Sequence, residues 1–263
     1  MVQAAAPTIC TAQGNCPEPA AYGRQPFPDE LVDVFDRAGT NRLGSEGPDL
    51  PQIWKGYPPS EAKRISPYVP CILLKAIGYT ESTGWKQFNA NYGQEGWTVI
   101  SQDCGYGIMQ ITSGMEGGAG FDPGRVAADP AYNIGTGARI LIQKWNGLDY
   151  YIGHNSPHVV EDWYYAVWAY NGWGWANNPN NLDKYPNVGR TPWACGTDSS
   201  QSRSDYPYQE LIWGCAANPP GSEFWDATPL TLPPREDLYT YEGGPPPTHI
   251  DTPQPSHSSC SVV

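Results

Sequence analysis

The chain has 263 residues, a net charge of −12, only 16% charged residues, and 28 Pro and 29 Gly. That length can bury one main core with appendages, and an acidic chain without a basic patch excludes nucleic acid and anionic membrane surfaces as partners. No apolar run approaches a membrane span, because the best, Ile72 to Ile77, is cut by Lys75.

Aromatic usage is skewed, with 11 Trp and 17 Tyr against 5 Phe. Trp and Tyr carry a polar handle on an apolar body, which suits wet, flat ligands such as sugars and serves a Trp-rich core equally well. The seven cysteines are Cys10, Cys16, Cys71, Cys104, Cys195, Cys215 and Cys260; none forms a CxxC pair, and the four His do not complete a zinc pattern. Structural disulfides made in an oxidising compartment fit better, and no metal or other cofactor is expected. Spacing does not decide connectivity. Nearest-neighbour pairing would join Cys10 to Cys16, Cys71 to Cys104 and Cys195 to Cys215, leaving Cys260 over. The opening Met-Val-Gln-Ala-Ala-Ala-Pro is too short and too weakly apolar for a signal peptide, so the trimmed N-terminus of an exported protein is expected.

Residues 1–27, rich in Ala, Pro and Gly, read as an extended arm. Pro28-Asp29 opens a helix with Leu31, Val34, Phe35 and Ala38 on one stripe, stopped by Gly39. Up to residue 67 the pattern is loop-like, with Trp54 and Tyr57 as anchors, so 28–67 is expected to pack as helix and loop on a core. Pro70 suits a first helical position, and Ile72, Leu73, Ala76, Ile77 and Thr80 then form a core-facing stripe ending at Glu81-Ser82. Trp97 to Ile100 is a short strand candidate, and Gly114 to Gly124 a Gly-rich loop. Asp129-Pro130 starts a helix with Ile134, Ala138, Leu141, Ile142 and Trp145 in period, and another runs from about Pro157 to Asn171 before Gly172. Residues 68–175 thus form a helix-rich core. Residues 176–225 read as a loop-rich extension with one helix near Tyr208 to Cys215, pinned by Cys195–Cys215. Residues 226–263, Pro-rich and almost without aliphatics, read as a disordered tail.

Glu81 is the residue with chemical promise. A carboxyl at the end of an apolar helix is pushed toward the protonated form by partial burial, and a protonated carboxyl can act as a general acid. An exposed helix-end Glu is the simpler reading of that residue taken alone. The common nucleophile and phosphate motifs, G-x-S-x-G, H-E-x-x-H and G-x-x-x-x-G-K, are absent.

Four segments stand in one order: Glu81-Ser82, Gly107-Ile108-Met109-Gln110, Asn133-Ile134 and Ala169-Tyr170-Asn171-Gly172. In these the chain resembles the soluble lytic transglycosylases, whose Glu-Ser, Gly-Leu-Met-Gln, Asn-Ile and Ala-Tyr-Asn-Ala-Gly segments follow the same order. The likeness spans residues 68–175, about two fifths of the chain. It implies a mainly α, goose-type-lysozyme-like fold with a small β-hairpin at most, flanked by loop-rich extensions. It also implies a monomeric secreted or cell-envelope enzyme that cleaves peptidoglycan between N-acetylmuramic acid and N-acetylglucosamine to a 1,6-anhydro product. Carried over, Glu81 is the catalytic acid and base, Ser82 and Gln110 line the saccharide cleft, and Met109 packs beneath it. Tyr170 positions the Glu81 carboxyl, and Asn171 holds an N-acetyl group.

The chain departs from the pattern at Ile108, which is harmless, and at Gly172-Trp173-Gly174-Trp175, which puts indoles at the rim as candidate stacking platforms. The interval from Glu81 to Gly107 is also longer than in the simplest members. Three other readings stay open. A lysozyme-like hydrolase would use Asp103 or Asp122 to place a water. A non-catalytic module would keep the fold and bind glycan. A disulfide-rich structural domain would make the motif order coincidence.

Overall fold

The computed structural model describes residues 16–196, 200–252, 256 and 260. Cys10 and residues 1–15 of the expected arm lie outside the described residues. Among the described residues six α-helices carry the architecture: α1 (Pro28–Gly39), α2 (Cys71–Ser82), α3 (Pro123–Ala128), α4 (Pro130–Asn146), α5 (Tyr164–Tyr170) and α6 (Tyr208–Ala217). The fold is mainly α.

At the centre lies α2, whose Cys71 to Gly78, Thr80 and Ser82 are all buried. The sequence predicts a single core-facing stripe; α2 is instead apolar nearly all round because α1 and α4 pack against it from one direction and α6 from another. Gly78 lets that happen, since a Cβ there would come within 3.0 Å of the Phe35 ring and Ile108. Lys75, the one charge in the run, is neutralised by Asp36 of α1 at 2.7 Å. Pro70, expected at the first helical position, is the N-cap, so the helix begins one residue later, at Cys71. At the other end Thr83 turns left-handed (φ 50°) and donates to the Tyr79 carbonyl, which stops the helix just past Glu81.

The short helix α3 begins at the end of the stretch predicted as a Gly-rich loop, Gly114 to Gly124, and runs into α4. Asp122 caps it, accepting from the backbone N–H of Gly124 and Arg125, and Asp129 caps α4 in the same way. The helix predicted from Pro157 begins as a tight turn at Glu161–Trp163 and becomes α-helical only at Tyr164.

Strands are two or three residues long and form three two-stranded sheets. β1 (Tyr22–Arg24) pairs antiparallel with β4 (Glu95–Trp97), placing Tyr22 opposite Trp97. β2 (Ile53–Lys55) and β3 (Lys63–Ile65) make a hairpin in the stretch predicted to be loop. β5 (Tyr151–Ile152) pairs parallel with β6 (His249–Ile250). Of the expected strand Trp97 to Ile100, Trp97 belongs to β4, and Thr98 and Ile100 make isolated bridges.

Two expectations are corrected. Cys16 bonds to Cys104 and Cys71 to Cys260, so the pairings Cys10–Cys16 and Cys71–Cys104 do not form, whereas Cys195–Cys215 does. Nearest-neighbour pairing fails because the fold returns residues far apart in the chain to within 5.5 Å between Cα atoms. The Pro-rich tail also packs, up to residue 252 and again at Ser256 and Cys260. Leu238, Tyr239 and Ile250 are buried, and Tyr239 stacks on Trp168 at 5.6 Å. Aromatic and polar anchors replace the aliphatics whose scarcity suggested disorder. Side-chain amides of Asn178 and Asn180 donate to the Tyr239 carbonyl, and the buried Glu161 accepts from Ser256.

Candidate active site

Helix α2 delivers Glu81 to the edge of the core, and α6 meets it there. The Tyr208 hydroxyl, at the first residue of α6, donates to Glu81 Oε1 at 2.5 Å. Arg203, just upstream, donates to the Thr80 carbonyl at 2.5 Å and so holds its charge beside the same helix end. From the other direction Asp103 stands on the loop pinned by Cys16–Cys104, accepting from Ser101 Oγ at 2.5 Å.

Burial pushes the Glu81 carboxyl above the ordinary glutamate range. The Asp103 charge adds to the rise, and the Tyr208 hydrogen bond and the Arg203 charge pull it back. Tyr208 is held well above the usual phenol range by burial and by Glu81, so it keeps its proton and remains the donor. A carboxyl so placed is shifted toward its protonated form, the form that can give a proton to a leaving oxygen.

Tyr170, expected to hold Glu81, donates instead to the Met109 carbonyl at 2.8 Å. It remains close enough for the Glu81 charge, together with burial, to push its phenol well up. The phenol bonded to Glu81 is Tyr208, which the sequence reading treated as part of a structural helix. The turn under Tyr170 is built by Asn133. Its Oδ1 accepts from the Met109 N–H at 2.8 Å, and its Nδ2 donates to the Tyr106 and Val126 carbonyls at 2.8 and 3.1 Å. Gly107 has φ +65°, and any Cβ there would collide with Gln87 Oε1 and Asn133 Nδ2. Gln110 follows at φ 47°, a conformation uncommon for a side chain of this kind, and donates to the Gly107 carbonyl at 2.8 Å.

Two cavities are lined by residues that adjoin Glu81, Tyr170 in one and Ser82 in the other, although Glu81 itself lines neither. One, of about 400 Å³, is lined by Gln110, Thr112, Phe121, Gln143, Lys144 and Tyr170 among others. The second, of about 530 Å³, begins at Ser82, the residue after Glu81, and continues along the loop to Val99. Gln110 and Ser82 thus line the cavities, although the Ser82 hydroxyl also secures the helix end by donating to Gly78 O and accepting from the Lys86 N–H.

Other expected site residues fall elsewhere. Met109 is fully buried beneath the turn, against Gly78 and Gly137. Asn171 is the C-cap of α5 and bonds to Asn177. Trp173 stacks on Tyr150 at 5.7 Å and Trp175 packs on Tyr239 at 5.9 Å, so both indoles belong to the aromatic cluster around α5 and are not free platforms. Asp122 is engaged as the cap of α3, whereas the charge of Asp103 acts on Glu81. Asp36, Cys71 and Cys260 bring three ligand-type atoms within 4.8 Å, but the sulfurs are joined in a disulfide and the carboxylate is paired with Lys75.

No protein-family model matches the chain, and neither curated proteins nor solved structures yield a match. Among the described residues no helix is long and apolar enough to cross a membrane, and three disulfides are present.

Proposed function

We propose that the chain is a peptidoglycan lytic transglycosylase with a lysozyme-like helical core, exported to the cell envelope. The observation that carries this reading is one carboxyl, Glu81, raised by burial and bonded to the Tyr208 phenol, with Ser82 and Tyr170 beside it each lining a cavity. The four motif segments add to it, as do the disulfides, which suit an oxidising compartment.

In this reading protonated Glu81 gives its proton to the glycosidic oxygen as the bond to C1 of the muramic sugar breaks. The resulting carboxylate then takes the proton of the same sugar's 6-hydroxyl while that oxygen bonds to C1. One residue serves as acid and then base, and no water is consumed. The nucleophile is intramolecular, so its effective concentration stands in for a water-activating group.

A second reading rests on Asp103, whose charge acts on Glu81. With Asp103 placing a water, the same acid would make the chain a hydrolase. Digestion of purified sacculi in ¹⁸O-water, followed by mass spectrometry, separates the two. Transglycosylation gives unlabelled fragments lighter by one water, and hydrolysis gives one ¹⁸O at each new reducing end. Glu81→Gln is expected to lower turnover by about 10²–10⁴ without unfolding the chain. Lysis within about tenfold of wild type would remove Glu81 from the mechanism. Glycan binding without turnover by the wild type would leave a binding module.

A further inference from the structure

The cavity that begins at Ser82 contains a cation, Lys86, that has no ion-pair partner among the described residues. Its wall includes Lys86, Asn89, Asn91, Gln94 and Glu95, and its floor includes the buried Phe88 and Val99. Lys86 Nζ lies 3.7 Å from the centre of the Tyr92 ring and donates to the Ala90 carbonyl at 3.0 Å. An ammonium has three donors, and among the described residues no carboxylate forms an ion pair with this one. Glu95, on the same wall, is the carboxylate facing this cavity, and it lies beyond ion-pair distance of Lys86.

Burial pulls Lys86 below its ordinary range, which is the cost of a half-buried charge left without an opposite one. Tyr92, pushed up to about 12, stays neutral beneath it and donates to the Gly84 carbonyl at 2.7 Å. The surrounding loop is braced from within. Gln25 Oε1 accepts from the N–H groups of Gln87 and Phe88, both at 2.9 Å, and Gln25 Nε2 donates to the Trp85 carbonyl at 2.9 Å. The cavity is therefore formed in advance of any ligand.

We propose that this cavity binds a carboxylate-bearing substituent of the glycan beside the bond cleaved, with Lys86 holding the anion and the amides of Asn89, Asn91 and Gln94 holding its polar groups. The inference rests on the transglycosylase reading for the identity of the polymer. Its chemistry, a cation and amides in a cavity that begins one residue from Glu81, does not depend on which sugar is cut. Two sources carry such an anion: a short peptide attached to the sugar, and the lactyl carboxylate of the muramic sugar itself.

The test compares wild type, Lys86→Met and Lys86→Arg on glycan strands bearing peptides and on strands stripped of them, with Gln94→Ala as a second, exposed variant. Binding of a soluble N-acetylated acidic tetrapeptide is measured alongside by calorimetry. Loss of a charge-assisted bond predicts a KM about ten- to a hundredfold higher for Lys86→Met on peptide-bearing strands, recovered largely by Lys86→Arg. If that rise is confined to peptide-bearing strands, the anion belongs to the peptide; if it is confined to stripped strands, where removal of the peptide frees the lactyl carboxylate from its amide bond, it is the lactyl group. Unchanged KM on both substrates for Lys86→Met and Gln94→Ala overturns the proposal. If no strand is cut by the wild type, the transglycosylase reading fails, and the peptide titration decides the cavity alone. Binding that Lys86→Met weakens upholds it, and absent or unaltered binding rejects it.

Discussion

Four residues set the proton affinity of the candidate site, and they act with known signs. Burial raises Glu81; Asp103 raises it further; Tyr208 and Arg203 lower it. For a general acid, activity falls as pH rises through its pKa. Removing the hydroxyl in Tyr208→Phe takes a donor from the carboxylate form, so the alkaline limb of kcat/KM is expected to move to higher pH. Asp103→Asn removes a repelling charge, so the same limb is expected to move to lower pH. Opposite displacements in the pH profiles would establish Glu81 as the titrating acid, and identical profiles in both variants would exclude it. Glu81 was legible because an apolar run ends on it. Tyr208 was not, because it meets Glu81 across 127 residues of chain and its own helix shows no chemical signature.

At the scale of elements, the turn before α5 and strand β6 are joined by buried carboxylates. Asp162 accepts from Thr252 Oγ1 at 2.6 Å and from the Ser156 N–H at 2.7 Å, while Glu161 accepts from the Ser256 N–H at 2.7 Å. Burial raises Asp162 from 3.8 to about 6 against the pull of those donors and of His154. A carboxyl raised on folding contributes stability that is fully present below its unfolded value and is lost as pH rises through its folded value. Between those limits, 3.8 and about 6, the contribution amounts to about 2–3 kcal/mol. Thermal melts of wild type and Asp162→Asn across this window and up to neutral pH are expected to show the wild type losing stability more steeply. Parallel curves would mean that Asp162 does not titrate in the folded chain. The helices α1, α2, α4 and α6 were readable from apolar spacing and capping residues. The strands were not: pairs of two or three residues exist only because remote partners are brought alongside, as Tyr151 and Ile152 are by His249 and Ile250.

For the whole molecule, the bond between Cys71 and Cys260 ties the first residue of α2 to the end of the chain across 189 residues. Closing so long a loop costs the unfolded state entropy equivalent to about 5 kcal/mol on the chain-entropy account. Truncation after residue 226 would also remove the buried Leu238, Tyr239 and Ile250 and the partner of β5. A drop in Tm of about 10 °C or more is expected for the truncated chain, with a smaller drop for Cys260→Ser. An unchanged melting curve on truncation would show that the tail does not hold the fold.

Local sequence determined what depends on near neighbours. Pro28 with its acidic first turn, Asp129 ahead of Pro130, and the run from Ile72 to Ile77 each place a helix by capping, dihedral preference and apolar periodicity. Glu81 follows from the end of its helix. Tertiary structure decided what depends on distant partners: which cysteines meet, which phenol holds the acid, and whether a Pro-rich segment packs. Those outcomes rest on loop closure and on side chains arriving from other elements, and neither leaves a periodic trace in the residues concerned.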